Sequence, residues 1–290
     1  LYYTYIIVVI LFIVLFINII ITMLVNSYFI KEKGMGLGDF IRGSIASQQL
    51  CIEYGLPFQV DLSHHPIGKY IVQRCDAPTP TIDSILNLQD IPNFTIRALK
   101  SHLKSNINLK TLQHENLYIY TNVWPTFKIA SIVSKRVRDF FIPNQCLESA
   151  IKTAYDAYGN YGIIHIRAGD LLAFNTQIGD TVHLSLNELM DMLHPHLKAL
   201  SGKNYIVMSD CAELKTLVSN RYGFCCTSSK PSHLALNNDN TLDTLVDFFI
   251  LSRARHIHQF SVHGWGSGFS DSVHWLYRVP ITKHKLSPTN

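Results

Sequence analysis

The stretch Tyr161-Gly162-Ile163-Ile164-His165-Ile166-Arg167-Ala168-Gly169-Asp170 runs an apolar segment straight into His-x-Arg-x-Gly-Asp. An apolar run of this length, bounded by Gly, suits a strand buried inside a parallel sheet. In such sheets ligands sit beyond the carboxyl ends of the strands. His165, Arg167 and Asp170 then stand at the rim of a cleft. An Arg there suits an anionic ligand, because its planar fork matches phosphate oxygens. The structural alternative is an Arg closing a salt bridge to Asp170 at a strand end.

The flanking sequence extends this pattern. A helix is expected over 144–158 before the strand, and another over 185–200 after it, with Pro195 as a kink. Asn204-Tyr205-Ile206-Val207-Met208 reads as a strand ending in Ser209-Asp210. A helix follows over 211–221, then a short strand at Gly223-Phe224-Cys225-Cys226. Thr241 is the expected cap of a helix over 242–254. His256 to Phe260 is a strand that opens into Ser261-Val262-His263-Gly264-Trp265-Gly266-Ser267-Gly268-Phe269-Ser270, with a last helix beyond. This β-α-β-α-β-α order defines a parallel sheet with helices on both faces.

Right-handed crossovers place three polar strand ends on one rim: His165/Arg167/Asp170, Ser209/Asp210 and Ser261/His263. The last helix, entered through Gly and Ser, offers unpaired N–H groups to a phosphate. Asp247 is a carboxylate suited to the paired N–H groups of a purine. The bland account of the same residues is a set of caps and salt bridges.

The first half is less regular. The chain has 290 residues, 47% hydrophobic and 16% charged, against about a quarter charged in soluble domains. The deficit is local: no charged residue precedes Lys31, and Ile6 to Val25 are apolar except for Asn18 and Thr22. About twenty such residues in a helix span a bilayer, so an uncleaved anchor is expected over 1–30. A cleaved leader is the rival, but the run exceeds a leader's apolar core and lacks small residues after it. Lys31 and Lys33 on its far side favour a cytosolic domain. The acceptor pattern Asn93-Phe94-Thr95 favours a lumenal one.

Lys33-Gly34-Met35-Gly36-Leu37-Gly38-Asp39 is a glycine-rich turn before a helix carrying Phe40, Ile41, Ile45 and Ile52 and stopped by Gly55. Its glycines mark either a backbone crowded against a helix or bare backbone lining a cleft. Their spacing does not fit a dinucleotide fingerprint. Leu56–Asp61 and Leu117–Asn122 read as strands. His64 and His65 read as loop residues, and 126–141 as a helix with Lys135, Arg136 and Arg138 on a solvated face. Six cysteines without a Cys-x-x-Cys pair make zinc a poor expectation and leave disulfides and buried thiols both open. No basic block interleaved with aromatics supports nucleic-acid binding.

Taken together, the motifs resemble those of the fucosyltransferase superfamily that includes α1,2-, α1,6- and protein O-fucosyltransferases. His165 to Asp170 looks like its His-x-Arg-x-Gly-Asp motif, and Val207-Met208-Ser209-Asp210 like its second motif. Asp247 to Ala254 is similar to its Asp-containing helix. Gln259-Phe260-Ser261 with Trp265-Gly266 is similar to its serine-rich third motif, and Lys33 to Asp39 to its N-terminal glycine loop. The resemblance implies a GT-B architecture: an anchor over 1–30, an acceptor-side α/β domain over 31–143 and a GDP-sugar-binding domain over 144–290. It implies a membrane-anchored, single-pass inverting glycosyltransferase of the Golgi or another secretory-pathway membrane, with GDP-fucose as donor, a glycan or glycoprotein as acceptor and no metal.

Carried over by position, His165 and Asp247 contact the guanine side. Arg167, with Asp210, Ser261 and Ser267 around it, serves the pyrophosphate. Asp39 and Asp170 are the candidate bases. The chain departs from the pattern at Ala168, where α1,2 and α1,6 members carry a second Arg. It departs again at Asp39, where Asn is expected, and at His263-Gly264, which interrupt the third motif and leave Ser267-Gly268-Phe269-Ser270 as the alternative phosphate donor. A non-catalytic nucleotide-sugar or glycan-binding relative is the alternative, and a UDP-sugar enzyme of the same architecture is a third.

Overall fold

The computed structural model describes residues 23–29, 36–89, 91–106, 116–126, 128–168, 185–227, 229 and 240–286. They fall into two compact units, both α/β. The first holds 23–29, Arg42–His65 and Gln73–Phe140. The second holds 36–41, Pro66–Val72 and the described residues from Phe141 onward. Two short pieces of the N-terminal half thus count with the C-terminal unit.

The first half of the chain contributes β1 (Leu24–Ser27), α1 (Leu37–Tyr54), β2 (Phe58–Asp61), β3 (Leu86–Leu88), α2 (Ile96–Asn106), β4 (Leu117–Thr121) and α3 (Ser131–Arg138). The four strands form a parallel sheet in the order β2-β1-β4-β3. β1 is central, hydrogen-bonded on both edges and buried along its whole length. This corrects the expected anchor at its C-terminal end: Leu24 and Val25 are strand, not membrane helix. Leu24 and Val25 at the end of an apolar run serve equally well as the start of a strand covered on both faces, where Asn26 is buried and donates to the Ser44 hydroxyl at 2.8 Å. Residues 1–22 and 30 of the expected anchor lie outside the described residues. Among those described, no helix is long and apolar enough to cross a membrane.

Helix α1 buries Phe40, Ile41 and Ile45 as expected but leaves Ile52 exposed, and it stops at Gly55, which adopts φ +66°. Ala46, Leu50 and Cys51 of α1 join Leu24, Ile119, Leu99 and Leu103 in one apolar core. The helix rides so close to β4 that a Cβ on Gly43 would lie 1.7 Å from the carbonyl oxygen of Thr121. β3 has three residues and no readable pattern, which is why 63–110 gave no strand from sequence. His64 and His65 do lie in a turn, but His65 is buried with its ring centroid 4.0 Å from that of Tyr28. Lys135, Arg136 and Arg138 are exposed on α3, as expected.

The second unit runs α4 (Gln145–Tyr158), β5 (Gly162–Arg167), α5 (Leu186–Leu200), β6 (Tyr205–Ser209), α6 (Ala212–Tyr222), β7 (Cys225–Cys226), α7 (Thr241–Ser252), β8 (Ile257–Ser261), α8 (Gly268–Tyr277) and β9 (Ile281–Lys285). The five strands are parallel in the order β7-β6-β5-β8-β9. Two helix starts carry side-chain caps from the expected residue types: the Asn144 side chain accepts from Leu147 N–H at 3.1 Å, and Ser185 forms a capping box with Glu188. Two readings of detail change. The N-cap of α7 is Asn240, with Thr241 buried inside the first turn. α5 continues through Pro195 as one helix. β9, rich in Lys, His and Thr on an edge, had no apolar signal to find. The six cysteines are unpaired.

Gly43→Ala is expected to destabilise the first unit by about 1–3 kcal/mol, because an added methyl there forces α1 away from β4. Urea denaturation followed by circular dichroism checks this; a midpoint equal to that of the parent would show that the contact yields without cost.

Candidate nucleotide site at the carboxyl edge of the second sheet

Pairing register builds the site. In the second sheet Arg167 is level with Ser261 of β8, and Ile166 with Ser209 of β6. The three polar strand ends therefore share one edge. In chain order the strands read 3-2-1-4-5, so β5 and β8 flank the point where the order reverses, the position at which doubly wound sheets bind ligands. Side chains alternate across the sheet. Ile164 and Ile166 pack with Leu189, Leu193 and Leu214 in one core. His165 projects to the other face, where it meets α8.

Arg167 is held at the end of β5 by Asp210, which follows β6: the guanidinium Nη1 donates to Asp210 Oδ2 in a half-buried ion pair. Asp210 Oδ1 accepts the Ala168 N–H at 2.8 Å. Asp210 thereby fixes both the cation and the backbone beyond it. The salt-bridge alternative for Arg167 is realised, but the partner is Asp210. Asp170, the partner named from sequence and a candidate base, lies outside the described residues. Ala168 is 1% exposed within the core, so this backbone turns its side chain inward where a second Arg was expected.

His165 is 6% exposed, with Nδ1 2.9 Å from the Ser270 hydroxyl and its ring 5.9 Å from that of Phe269. Burial, helped by the nearby Arg167 guanidinium, pushes its pKa down to about 3. It is a neutral imidazole at any physiological pH.

Ser261 is buried and committed to the loop after β8. Its hydroxyl accepts from His263 N–H at 3.1 Å and donates to Gly266 O at 3.4 Å. Ser267 is the N-cap residue of α8, and its side chain makes no capping bond. The first turn of α8 is covered by the N-terminal glycine segment: a Cβ on Gly38 would lie 2.4 Å from backbone atoms of Gly268 and Phe269. Ser272 reinforces the contact by donating to Gly38 O at 3.1 Å. Of the two readings of the glycine turn, crowding against a helix is the one met at Gly38. It brings Asp39 beside the same turn, with Oδ1 3.5 Å from the place of a Cβ on Gly268. A carboxylate there is favoured by the positive end of the helix. Residues 33–35 lie outside the described residues.

Asp247 of α7 meets the segment after β7. Its Oδ2 accepts from the Ser229 hydroxyl at 2.6 Å, and its Oδ1 is shielded from solvent with no hydrogen-bond partner among the described residues. Burial raises its pKa to about 6, against the opposing pull of the Ser229 hydroxyl and Lys215. Lys215 was missed from sequence. It is buried on α6 and donates to the carbonyls of Thr227 at 2.8 Å and Ser229 at 2.5 Å, pinning that segment. The available signal was a lysine beside Leu214 and Val218 on the buried face of α6. Also missed were Asp271 and Lys283, while Gln259 and Ser270 stood inside the quoted motif stretches without a role of their own. Among the described residues, no three His, Cys, Asp or Glu side chains converge as a metal site requires.

No protein-family model matches the chain. No curated protein matches it by sequence. Solved structures do match. FUT1 of Arabidopsis thaliana, a mutant in complex with GDP, superposes with a TM-score of 0.60 at 13% identity, covering 91% of this chain and 70% of that one. The fucosyltransferase NodZ from Bradyrhizobium gives 0.55 at 13% identity, covering 92% and 95%. The NodZ α-1,6-fucosyltransferase soaked with GDP-fucose gives 0.54 at 12% identity, covering 88% and 92%. The chain therefore has the α/β fold of the GT-B fucosyltransferases, the superfamily its motifs resemble.

The raised pKa of Asp247 has a definite sign. The folded state binds the proton that the unfolded state releases between about pH 4 and 6, so this group's contribution to stability falls as pH rises through that window. Asp247→Asn should gain about 1–3 kcal/mol relative to the parent at pH 7 and little at pH 4. Urea melts of both proteins at the two pH values test this. An equal difference at both would show that Asp247 carries no buried charge.

Proposed function

We propose that the chain is an inverting glycosyltransferase that transfers fucose, or a related sugar, from a GDP-sugar to a glycan or glycoprotein. The observation that carries this is the meeting of Arg167, His165 and Ser261 at the point of strand-order reversal, in a fold shared with fucosyltransferases. In this reading the diphosphate lies against Arg167. The guanine reaches toward Asp247 and the segment pinned by Lys215. Asp247 Oδ1, buried and unpartnered among the described residues, is the acceptor a guanine's paired N–H groups would satisfy.

The chemistry needs little from the protein beyond charge and placement. The acceptor hydroxyl forms a bond to the anomeric carbon from the face opposite GDP. The glycosidic C–O bond breaks, and its electron pair passes to the β-phosphate oxygen. The hydroxyl proton goes to a carboxylate, for which Asp39 and Asp170 stand as candidates. Negative charge grows on the leaving diphosphate, and a cation fixed beside it lowers the barrier. Asp210 supplies the fixing: it holds the Arg167 guanidinium at the strand end before the ligand arrives.

The second reading, a non-catalytic nucleotide-sugar-binding relative, draws on the same pair. A guanidinium already neutralised by Asp210 offers a leaving group less net charge, and Ala168 adds none. In the glycosyltransferase reading the protein works as a membrane-anchored enzyme of the secretory pathway. Asn93, in the sequon Asn93-Phe94-Thr95, is exposed, as a glycan acceptor must be.

Calorimetric titration is expected to give GDP binding, with UDP at least tenfold weaker. Arg167→Ala should weaken GDP by about 10- to 100-fold, the loss of a charge-assisted contact. Release of GDP from GDP-fucose on adding acceptor glycans separates enzyme from binder. Equal affinity for UDP and GDP, or GDP affinity indifferent to Arg167→Ala, would overturn the assignment.

A further inference from the structure

A chain of buried hydrogen bonds runs from the edge strand of the second sheet to His165. Lys283 of β9 donates to Asp271 Oδ2 at 2.8 Å. Asp271, 1% exposed, accepts through Oδ1 from the Gln259 amide nitrogen at 2.9 Å. The same Gln259 nitrogen reaches the Ser270 hydroxyl at 2.7 Å, and Ser270 reaches His165 Nδ1 at 2.9 Å. Gln259 and Ser270 are as deeply buried as Asp271. None of these four partners has a role of its own among the residues assigned to the site from sequence.

The direction of every proton in this chain follows from chemistry. An ionised carboxylate only accepts, so Asp271 fixes the Gln259 amide with its NH2 group inward. The carbonyl of Gln259 then faces Gly266, where an added Cβ would lie 2.3 Å from Oε1. The NH2 group has three acceptors in reach, Ser270 Oγ at 2.7 Å, Asp271 Oδ1 at 2.9 Å and the Ser267 carbonyl at 3.3 Å, and its two hydrogens go to the two nearest. Ser270 is therefore an acceptor toward Gln259, and its own proton has His165 Nδ1 as its hydrogen-bond acceptor. The reverse orientation would leave a buried hydroxyl proton without a partner, a costly arrangement.

We propose that Asp271, Gln259 and Ser270 are positioning residues that lock His165 in the tautomer protonated on Nε2, so that it meets the nucleotide as a neutral hydrogen-bond donor. The group it recognises is a lone-pair acceptor, such as a ribose, phosphate or carbonyl oxygen. That His165 touches the nucleotide rests on the function proposed above; the tautomer itself does not. Lys283, half-exposed, anchors the outer end by keeping the Asp271 carboxylate paired.

The test is nitrogen-15 NMR of the ligand-free full chain labelled at histidine, with His165→Gln used to assign its resonances. The expected result is an unprotonated Nδ1 and a protonated Nε2 in the parent. Asp271→Asn turns its oxygen to Lys283 and its NH2 to Gln259, reversing the amide and with it the Ser270 proton. The His165 pattern should then shift toward Nδ1–H. Ser270→Ala, a smaller change, should leave a mixture of tautomers and weaken GDP binding about five- to tenfold. A parent already protonated on Nδ1, or a pattern unmoved by both variants, overturns the proposal. Failure of the parent to bind GDP would sink the functional reading while leaving the tautomer result to stand or fall by itself.

Discussion

The pairing of β5 with β6 on one side and β8 on the other governs the second unit. Once Ile166 lies level with Ser209, and Arg167 with Ser261, the polar ends of three strands must emerge together. A slip of one residue along β5 would send His165 into the apolar core and Ile164 toward α8. The core made by Ile164, Ile166, Val207 and Phe260 against α5 and α6 forbids that slip. The position of the one strand-end guanidinium described at this edge is thus set by hydrophobic burial, and its orientation by Asp210.

The edge is rich in buried polar groups, and each one is constrained. Asp271 has Lys283 and Gln259; Lys215 has two carbonyls; His165 has Ser270. Such groups are costly to bury unless satisfied. Asp247 departs from this economy, with one carboxylate oxygen unmatched among the described residues and its basicity raised by burial. The glycine segment shows the same logic in steric form: only a residue without a side chain lets the chain at Gly38 lie on the first turn of α8.

Much of the second unit was legible because its sequence obeys simple periods. β5, β6 and β8 are short apolar runs ending in polar residues, and the helices between them carry apolar faces and recognisable caps. The first unit was harder for physical reasons. β1 opens with Leu24 and Val25, which continue the apolar run before them, so its start reads as the end of a membrane span, while its buried Asn26 and Ser27 carry no strand signal. β3 is three residues long, and β9 is a polar edge. Within the site, His165 and Arg167 could be named because polar and charged residues near the end of an apolar strand stand out, and Asp247 because it is a carboxylate in an otherwise apolar stretch of α7. Ser270, Asp271 and Lys215 could not, because their roles depend on contacts across 12 to 105 residues of chain. That Asp210 pairs with Arg167 is a contact across 43 residues of chain that the sequence does not display.

The most direct measurement is a structure of the chain with GDP bound. The account predicts the diphosphate within hydrogen-bonding distance of Arg167 at the carboxyl ends of β5 and β8, with the guanine N–H groups on Asp247. A nucleotide bound elsewhere on the chain, or a diphosphate that leaves Arg167 untouched, would contradict it.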